Sequence, residues 1–98
     1  MSVYVYARSN NQEKNEEQIA ACLSKARELG RRPGIKYVDI ASGLADEYPE
    51  FEKLMSELKT GDIVICTSAD RLSRKSTEAA EKIERIRKLG AKIIFVKP

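Results

Sequence analysis

Apolar strand-like runs alternate with amphipathic helix-like segments along the chain, and this alternation is the feature that most restricts its fold. The strand-like runs are rich in β-branched and aromatic residues, whereas the helix-like segments carry apolar residues on one stripe. Strands separated by helices of this length favour a mostly parallel sheet with helices on its faces, so we predict a three-layer α/β/α fold. The strands are predicted over residues 3–7, 35–40, 63–67 and 92–96, and the helices over residues 18–29, from Pro49, and from Ser76 or Thr77.

Length and composition predict one small domain spanning residues 1–98. Ninety-eight residues with 42% hydrophobic content suffice for one core, and we find no linker, repeat or low-complexity segment. Without an apolar run of membrane-spanning length or a secretory leader, we expect the chain in the cytoplasm. Cys22 and Cys66 fall at apolar-facing positions, and there is no histidine, so we expect two free core thiols and no protein metal site. A net charge of +3 permits nucleic-acid binding without establishing it.

Polar residues with phosphate-binding chemistry follow three of the predicted strands. Arg8-Ser9 follows the first strand, Ser42-Gly43 the second, and the pentapeptide 70–74, with sequence DRLSR, the third. Ligands of parallel sheets collect outside the carboxyl ends of the strands, so these segments should meet at one edge. Together they offer a hydroxyl, an aspartate and three arginines, whose planar forks suit the equatorial oxygens of a phosphoryl transition state. The pattern therefore indicates phosphoryl transfer.

Two other α/β classes fit the sequence less well. A receiver domain needs acidic residues after the first strand to bind a cation, and this chain has Arg8 there. A nucleotide-binding domain needs a glycine-rich turn at the same place, and residues 7–13 contain no glycine.

An ordered set of motifs identifies a family resemblance over nearly the whole chain. The motifs are Tyr6-Ala7-Arg8, Gln18, Ser42-Gly43, Pro49-Glu50-Phe51 and Asp70-Arg71-Leu72-Ser73-Arg74. In their order and separation they resemble the N-terminal catalytic domain of the serine recombinases of the resolvase and invertase type. The resemblance implies site-specific cutting and rejoining of DNA through a serine that becomes joined to the 5′ end, with no metal or other cofactor.

The same resemblance assigns roles to individual residues. Ser9 would be the nucleophile, and Arg8, Arg71 and Arg74 would hold the scissile phosphate and stabilise its charge. Asp70 would orient the arginines or protonate the leaving oxygen. The implied partners are the DNA phosphate backbone and either further copies of the chain or a full-length recombinase, with no membrane. The supporting residues would be Gln18, Ser42 and Asn10.

Three departures from the family pattern leave two functions open. Arg8 and Ser9 adjoin, although the family places one residue between arginine and serine, so an ungapped alignment puts Asn10 at the nucleophile position. Tyr48 replaces an arginine before Pro49, which removes one phosphate ligand. The family also continues into a long assembly helix and a DNA-binding domain beyond the equivalent of Pro98. The chain is therefore expected to be the catalytic domain of a recombinase with little activity in isolation, or an inactive relative that acts as a binding or regulatory module.

Other polar residues have plainer interpretations. The Ser9 hydroxyl can equally belong to a turn without chemistry, and Tyr48 is expected to be a packing residue. The basic residues of the last helix are expected to form a solvated face rather than a DNA contact. These are Lys82, Arg85, Arg87 and Lys88.

Overall fold

A four-stranded parallel sheet forms the centre of the structure, a computed structural model that describes residues 2–32 and 34–97. The strand order is β2-β1-β3-β4, and all three neighbouring pairs are parallel. The predicted α/β fold with a mostly parallel sheet is therefore confirmed. The elements are β1 (Val3–Ser9), α1 (Gln12–Glu28), β2 (Ile35–Ile40), α2 (Pro49–Glu57), β3 (Ile63–Cys66), a 3₁₀ turn (Ala69–Arg71), α3 (Ser76–Lys88) and β4 (Lys92–Phe95).

Helices cover both faces of the sheet, because alternate side chains of each strand point to opposite faces. Val3 and Val5 of β1 pack with the buried face of α1, whereas Tyr4 and Tyr6 pack with α2 and α3. Cys22 and Cys66 are both buried and unbridged, as predicted. No helix in the described ranges is long and apolar enough to cross a membrane.

Helix α1 begins six residues earlier than the apolar stripe indicates. Asn11 caps it, since its side-chain Oδ1 accepts a hydrogen bond of 2.9 Å from the Lys14 amide. The first turn and a half is almost wholly polar, so periodicity alone misses it. The earlier start brings Asn15 and Gln18 against the carboxyl end of the sheet, where both are buried.

Lys82 of α3 is buried, and its prediction as part of a solvated face was wrong. Only 5% of the residue is exposed, while Arg85, Arg87 and Lys88 are exposed as expected. Lys82 lies on the same helical stripe as Ala79 and Ile86, so it points into the protein with them.

A buried carboxylate joins three elements beneath the carboxyl edge of the sheet. Asp39 at the end of β2 accepts hydrogen bonds from the amides of Glu50 and Phe51, at 3.0 and 3.1 Å, and so caps α2. It also accepts a 2.7 Å bond from the Tyr6 hydroxyl. Burial, followed by this bond, raises the pKa of Tyr6, so the phenol stays protonated and remains a donor. The start of α2 and the ends of β1 and β2 are thereby held together.

Candidate active site

A cleft of about 290 Å³ lies at the carboxyl edge of the sheet, where the predicted motifs meet. Among the predicted site residues, Gln18 alone does not line it. Its lining contains four basic side chains and one acidic side chain, which favours an anionic ligand. The lining residues are Arg8, Ser9, Asn10, Lys14, Ser42, Gly43, Asp70, Arg71 and Arg74.

Arg8 joins the three segments of the cleft through backbone carbonyls. Its Nε donates to the carbonyl of Arg71 at 3.0 Å, Nη1 to that of Ala41 at 3.1 Å, and Nη2 to that of Asp70 at 2.8 Å. Only 3% of the residue is exposed. The role of Arg8 as a phosphate ligand stays a prediction. Its contacts make it the residue that holds the 69–71 turn and the loop after β2 against β1.

Gln18 secures the backbone of Arg8 from the opposite side. Its side-chain Oε1 accepts from the Arg8 amide at 3.1 Å, and Nε2 donates to the Arg8 carbonyl at 2.8 Å. Arg71 Nη1 reaches the same carbonyl at 3.5 Å. These contacts fit the supporting role that the sequence predicts for Gln18, because they fix the strand end that carries Ser9.

The Ser9 hydroxyl is held in the turn that starts α1. Its Oγ donates to the Asn11 carbonyl at 2.6 Å and accepts from the Asn11 amide at 3.3 Å, and 3% of the residue is exposed. Asn10, which follows β1 in a bend, is exposed and lines the cleft. Ser9 therefore has to leave its turn before its oxygen can reach a ligand in the cleft.

Asp70 carries an ionised carboxylate at neutral pH. A hydrogen bond from the Ser68 hydroxyl lowers the pKa of Asp70, against the opposing effect of partial burial, and the positive charges of Arg71 and Arg8 lower it further. A proton donor to a leaving oxygen has to be protonated first. Its hydrogen bond comes from Ser68 and not from an arginine, so the predicted role of Asp70 in orienting the arginines stays a prediction.

Arg74 lies across Gly43, at the closest approach of two loops in the cleft. The Arg74 amide donates to the Gly43 carbonyl at 3.0 Å. A Cβ atom at Gly43 would stand 2.1 Å from Cγ of Arg74, so a side chain there would displace the arginine. The Ser73 hydroxyl also donates to the Gly43 carbonyl, at 3.5 Å.

Tyr48 packs beneath the same loop, as expected of it. It is 4% exposed, and its hydroxyl donates to the carbonyl of Ser42 at 2.8 Å. Sequence reasoning gave no signal for this bond or for that of Ser73, because both depend on where the loop after β2 lies. Tyr48 thus supports the backbone of the cleft without lining it.

Within the described part of the chain, no ion pair joins an arginine of the cleft to an acidic side chain. Among the residues that the structure describes, the ion pairs are Lys25–Glu28, Lys53–Glu50 and Arg85–Glu52, all outside the cleft. Nor do any three acidic or cysteine side chains in this part of the chain stand close enough together to hold a metal ion. The positive charge of Arg71 and Arg74 is left for an external anion.

Sequence comparison matches residues 3–98 to the family described as "Resolvase, N terminal domain". A resolvase of Escherichia coli is 30% identical over 90 residues, which are 91% of this chain and 41% of that protein. The transposon Tn501 resolvase of Pseudomonas aeruginosa is 33% identical over 61 residues, or 62% of this chain and 33% of that protein. The matches thus span about two fifths or less of these curated relatives.

Solved structures with the same fold include two catalytic domains. The C-terminal catalytic domain of ISC1926 TnpA, an IS607-like serine recombinase, has a TM-score of 0.85 and 26% identity, covering 100% of this chain and 69% of that one. The N-terminal catalytic domain of TP901-1 integrase has a TM-score of 0.82 and 25% identity, covering 98% of this chain and 77% of that one.

Proposed function

Since the chain belongs to the resolvase N-terminal domain family, we propose that it is the catalytic domain of a serine site-specific DNA recombinase, extending over residues 1–98. One observation carries this proposal. Arg71 and Arg74, which form no ion pair with any described residue, bring positive charge into a cleft that Ser9 also lines. A DNA backbone phosphate supplies the anion and the electrophile that such a cleft requires.

The proposed reaction is a pair of transesterifications. The Ser9 Oγ attacks a backbone phosphorus and forms a phosphoserine ester with the 5′ end, while the bond from phosphorus to the 3′ oxygen breaks. The hydroxyl proton of Ser9 leaves to solvent, and the 3′ oxygen takes up a proton to become a free hydroxyl. In rejoining, a 3′ hydroxyl attacks the phosphoserine and Ser9 regains its proton, so the number of phosphodiester bonds is conserved.

The remaining groups position the phosphate in this proposal. Arg71 and Arg74 stabilise the charge that develops on its oxygens, and the ionised carboxylate of Asp70 acts on Arg71 through its charge alone. Arg8 adds its charge while it holds the turn that carries Asp70 and Arg71. Ser9 leaves its hydrogen bonds with Asn11 when the phosphate enters, by rotation about its Cα–Cβ bond.

The burial and hydrogen bonds of the Ser9 hydroxyl favour a second function. That hydroxyl is buried and doubly hydrogen-bonded, whereas Asn10, the next residue, is exposed and also lines the cleft. An amide cannot replace a serine alkoxide as a nucleophile. In this second function the domain binds a backbone phosphate without cutting it, and regulates a full-length recombinase.

The wider setting is proposed on the same basis. We place the protein in the cytoplasm, bound to DNA and assembled either with itself or with a full-length recombinase. The isolated domain should have little activity, because removal of one transition-state donor typically lowers a rate about a hundredfold or more, and Tyr48 stands where the family has an arginine.

Trapping of covalent DNA adducts distinguishes the two functions. The domain, fused to a DNA-binding domain of known specificity, is incubated with supercoiled DNA that carries a matching site, digested with protease and examined for peptide on the 5′ ends. The recombinase proposal predicts adducts with the wild type and with Asn10→Ala, and none with Ser9→Ala. Absence of adducts from every fusion would contradict cleavage and support the phosphate-binding function.

A further inference from the structure

Lys82 of α3 makes three contacts that no surface lysine would make. Its Nζ donates to the carbonyl of Leu72 at 2.6 Å. The same atom lies 3.8 Å from the centre of the Tyr48 ring and 4.7 Å from that of Phe51. Both rings lie within the range of a cation–π contact.

These contacts connect the two loops of the cleft through residues that do not line it. Leu72 belongs to the segment that carries Asp70, Arg71 and Arg74, and Tyr48 donates to the carbonyl of Ser42 in the facing loop. A continuous path therefore runs from the Leu72 carbonyl through Lys82 and Tyr48 to the Ser42 carbonyl. Neither Lys82 nor Tyr48 lines the cleft itself.

We propose that Lys82 and Tyr48 act as one positioning pair, which sets the separation between the Ser42 loop and the segment that carries Asp70 to Arg74. The pair touches no reacting atom, so its effect on a bound phosphate is exerted through Arg74 and Gly43, which meet where the two loops approach. The inference rests on the proposed function only in taking this cleft as the phosphate site.

The energetics of a buried lysine support a positioning role over simple packing. An ammonium group loses most of its hydration on burial, and within the described residues Lys82 Nζ has a single hydrogen-bond acceptor. An apolar side chain of similar length would fill the same space without that desolvation penalty. What it would lack is the bond to Leu72 and the attraction to the Tyr48 ring, which are the two contacts that fix the loops.

Tyr48 stands where the family pattern has an arginine before Pro49. At this position the aromatic ring provides a face for a cation from α3 and a hydroxyl for the Ser42 carbonyl. The replacement therefore exchanges a phosphate ligand for a support of the loop.

A double-mutant cycle with Lys82→Met and Tyr48→Phe tests the pair. The first removes the charge at nearly constant length, and the second removes the bond to Ser42 while keeping the ring. Two readouts are taken for each variant, namely the backbone amide resonances of Gly43 and Arg74, and the affinity of the cleft for inorganic phosphate. Lys88→Met, an exposed lysine of the same helix, is the matched control.

We expect each single variant to shift the Gly43 and Arg74 amides and to weaken phosphate binding by roughly fivefold, an effect in the usual range for residues in contact. The double variant should be little worse than either single one. Lys82→Met should keep or raise the urea midpoint of unfolding, so a weaker affinity for phosphate would not result from a loss of folded protein. Lys82→Arg should restore the amide positions in part. If Lys82→Met fails to fold, the shifts of the Gly43 and Arg74 amides in Tyr48→Phe decide the test.

Two results would contradict the proposal that Lys82 and Tyr48 act as one positioning pair. One is additive effects of the two substitutions, and the other is amide shifts with Lys82→Met no larger than with the Lys88 control. If phosphate fails to bind even the wild type, the proposed function is contradicted, while the amide shifts still decide whether Lys82 and Tyr48 position the loops.

Discussion

Arg8 contributes more to the assembly of the candidate active site than any other single residue described. Its guanidinium donates hydrogen bonds to three carbonyls from two separate loops. The motif predicted that Arg8 lies in the site, but its carbonyl partners could not be predicted. Those partners depend on how two loops of irregular structure fold back on the sheet.

Replacement of Arg8 should therefore destabilise the fold as well as the site. Arg8→Met leaves three carbonyls without their charged donor, and we expect a loss of about 3 kcal/mol in the free energy of unfolding. Urea denaturation measures this loss. Arg27→Met, at an exposed position of α1, is the control and should change stability little. Equal stability of the Arg8 variant and the wild type would contradict the organising role.

The two thiols should be unreactive in the folded protein. Burial raises the pKa of Cys22 to about 12, and it raises that of Cys66 to about 12 as well, so almost no thiolate exists at pH 8. Iodoacetamide at pH 8 should leave both unmodified in the native state and alkylate both in urea, as read by mass spectrometry. Rapid alkylation of the native protein would show that these positions open to solvent.

At the level of elements, the helices with apolar stripes were predictable and the polar end of α1 was not. The signal that could have located it is Asn11, a favoured helix cap, followed by a long run without glycine or proline. Likewise, Lys82 was predicted to be solvated like the neighbouring basic residues, although its spacing from Ala79 and Ile86 places it on the buried stripe. A charged residue on an apolar stripe is ambiguous until its partners are known.

The cap of α1 should be measurable by a single substitution. Asn11→Ala removes the acceptor for the Lys14 amide, and we expect a destabilisation of about 1 kcal/mol. Asn10→Ala, outside the helix and exposed, should have a smaller effect in the same thermal or urea unfolding experiment. If the two variants were equally stable, Asn11 would not cap the helix.

The approach of the loop after β2 to Arg74 should depend on the absence of a side chain at Gly43. Gly43→Ala places a methyl group 2.1 Å from Cγ and 3.0 Å from Cβ of Arg74, so the arginine has to shift from the root of its side chain. We expect some loss of stability together with weaker phosphate binding. Gly34→Ala is the control, because its added Cβ would meet only the Val3 carbonyl, at 3.6 Å. If the Gly43 variant bound phosphate as tightly as the wild type, Arg74 would not be a phosphate ligand.

For the molecule as a whole, the alternation of strands and helices sufficed to predict the sheet and the edge where the site lies. Parallel strands bring their carboxyl ends together whatever the loops do, so Arg8, Ser42 and Arg71 had to meet. The nucleophile could not be predicted in the same way. Ser9 and Asn10 differ by one position, and the geometry of the turn before α1 determines which of them faces the arginines.

Both functions proposed for this domain require a phosphate in the cleft, and binding of inorganic phosphate tests that requirement most directly. The measurement is a titration of the amide resonances of the wild type, of Arg74→Met, and of Lys92→Met as a control at an exposed lysine of β4. We predict saturable shifts at Gly43, Arg71 and Arg74 in the wild type and the Lys92 variant, and their loss in the Arg74 variant. Shifts that are absent from the cleft, or that persist unchanged in Arg74→Met, would contradict the assignment of this edge as a phosphate site.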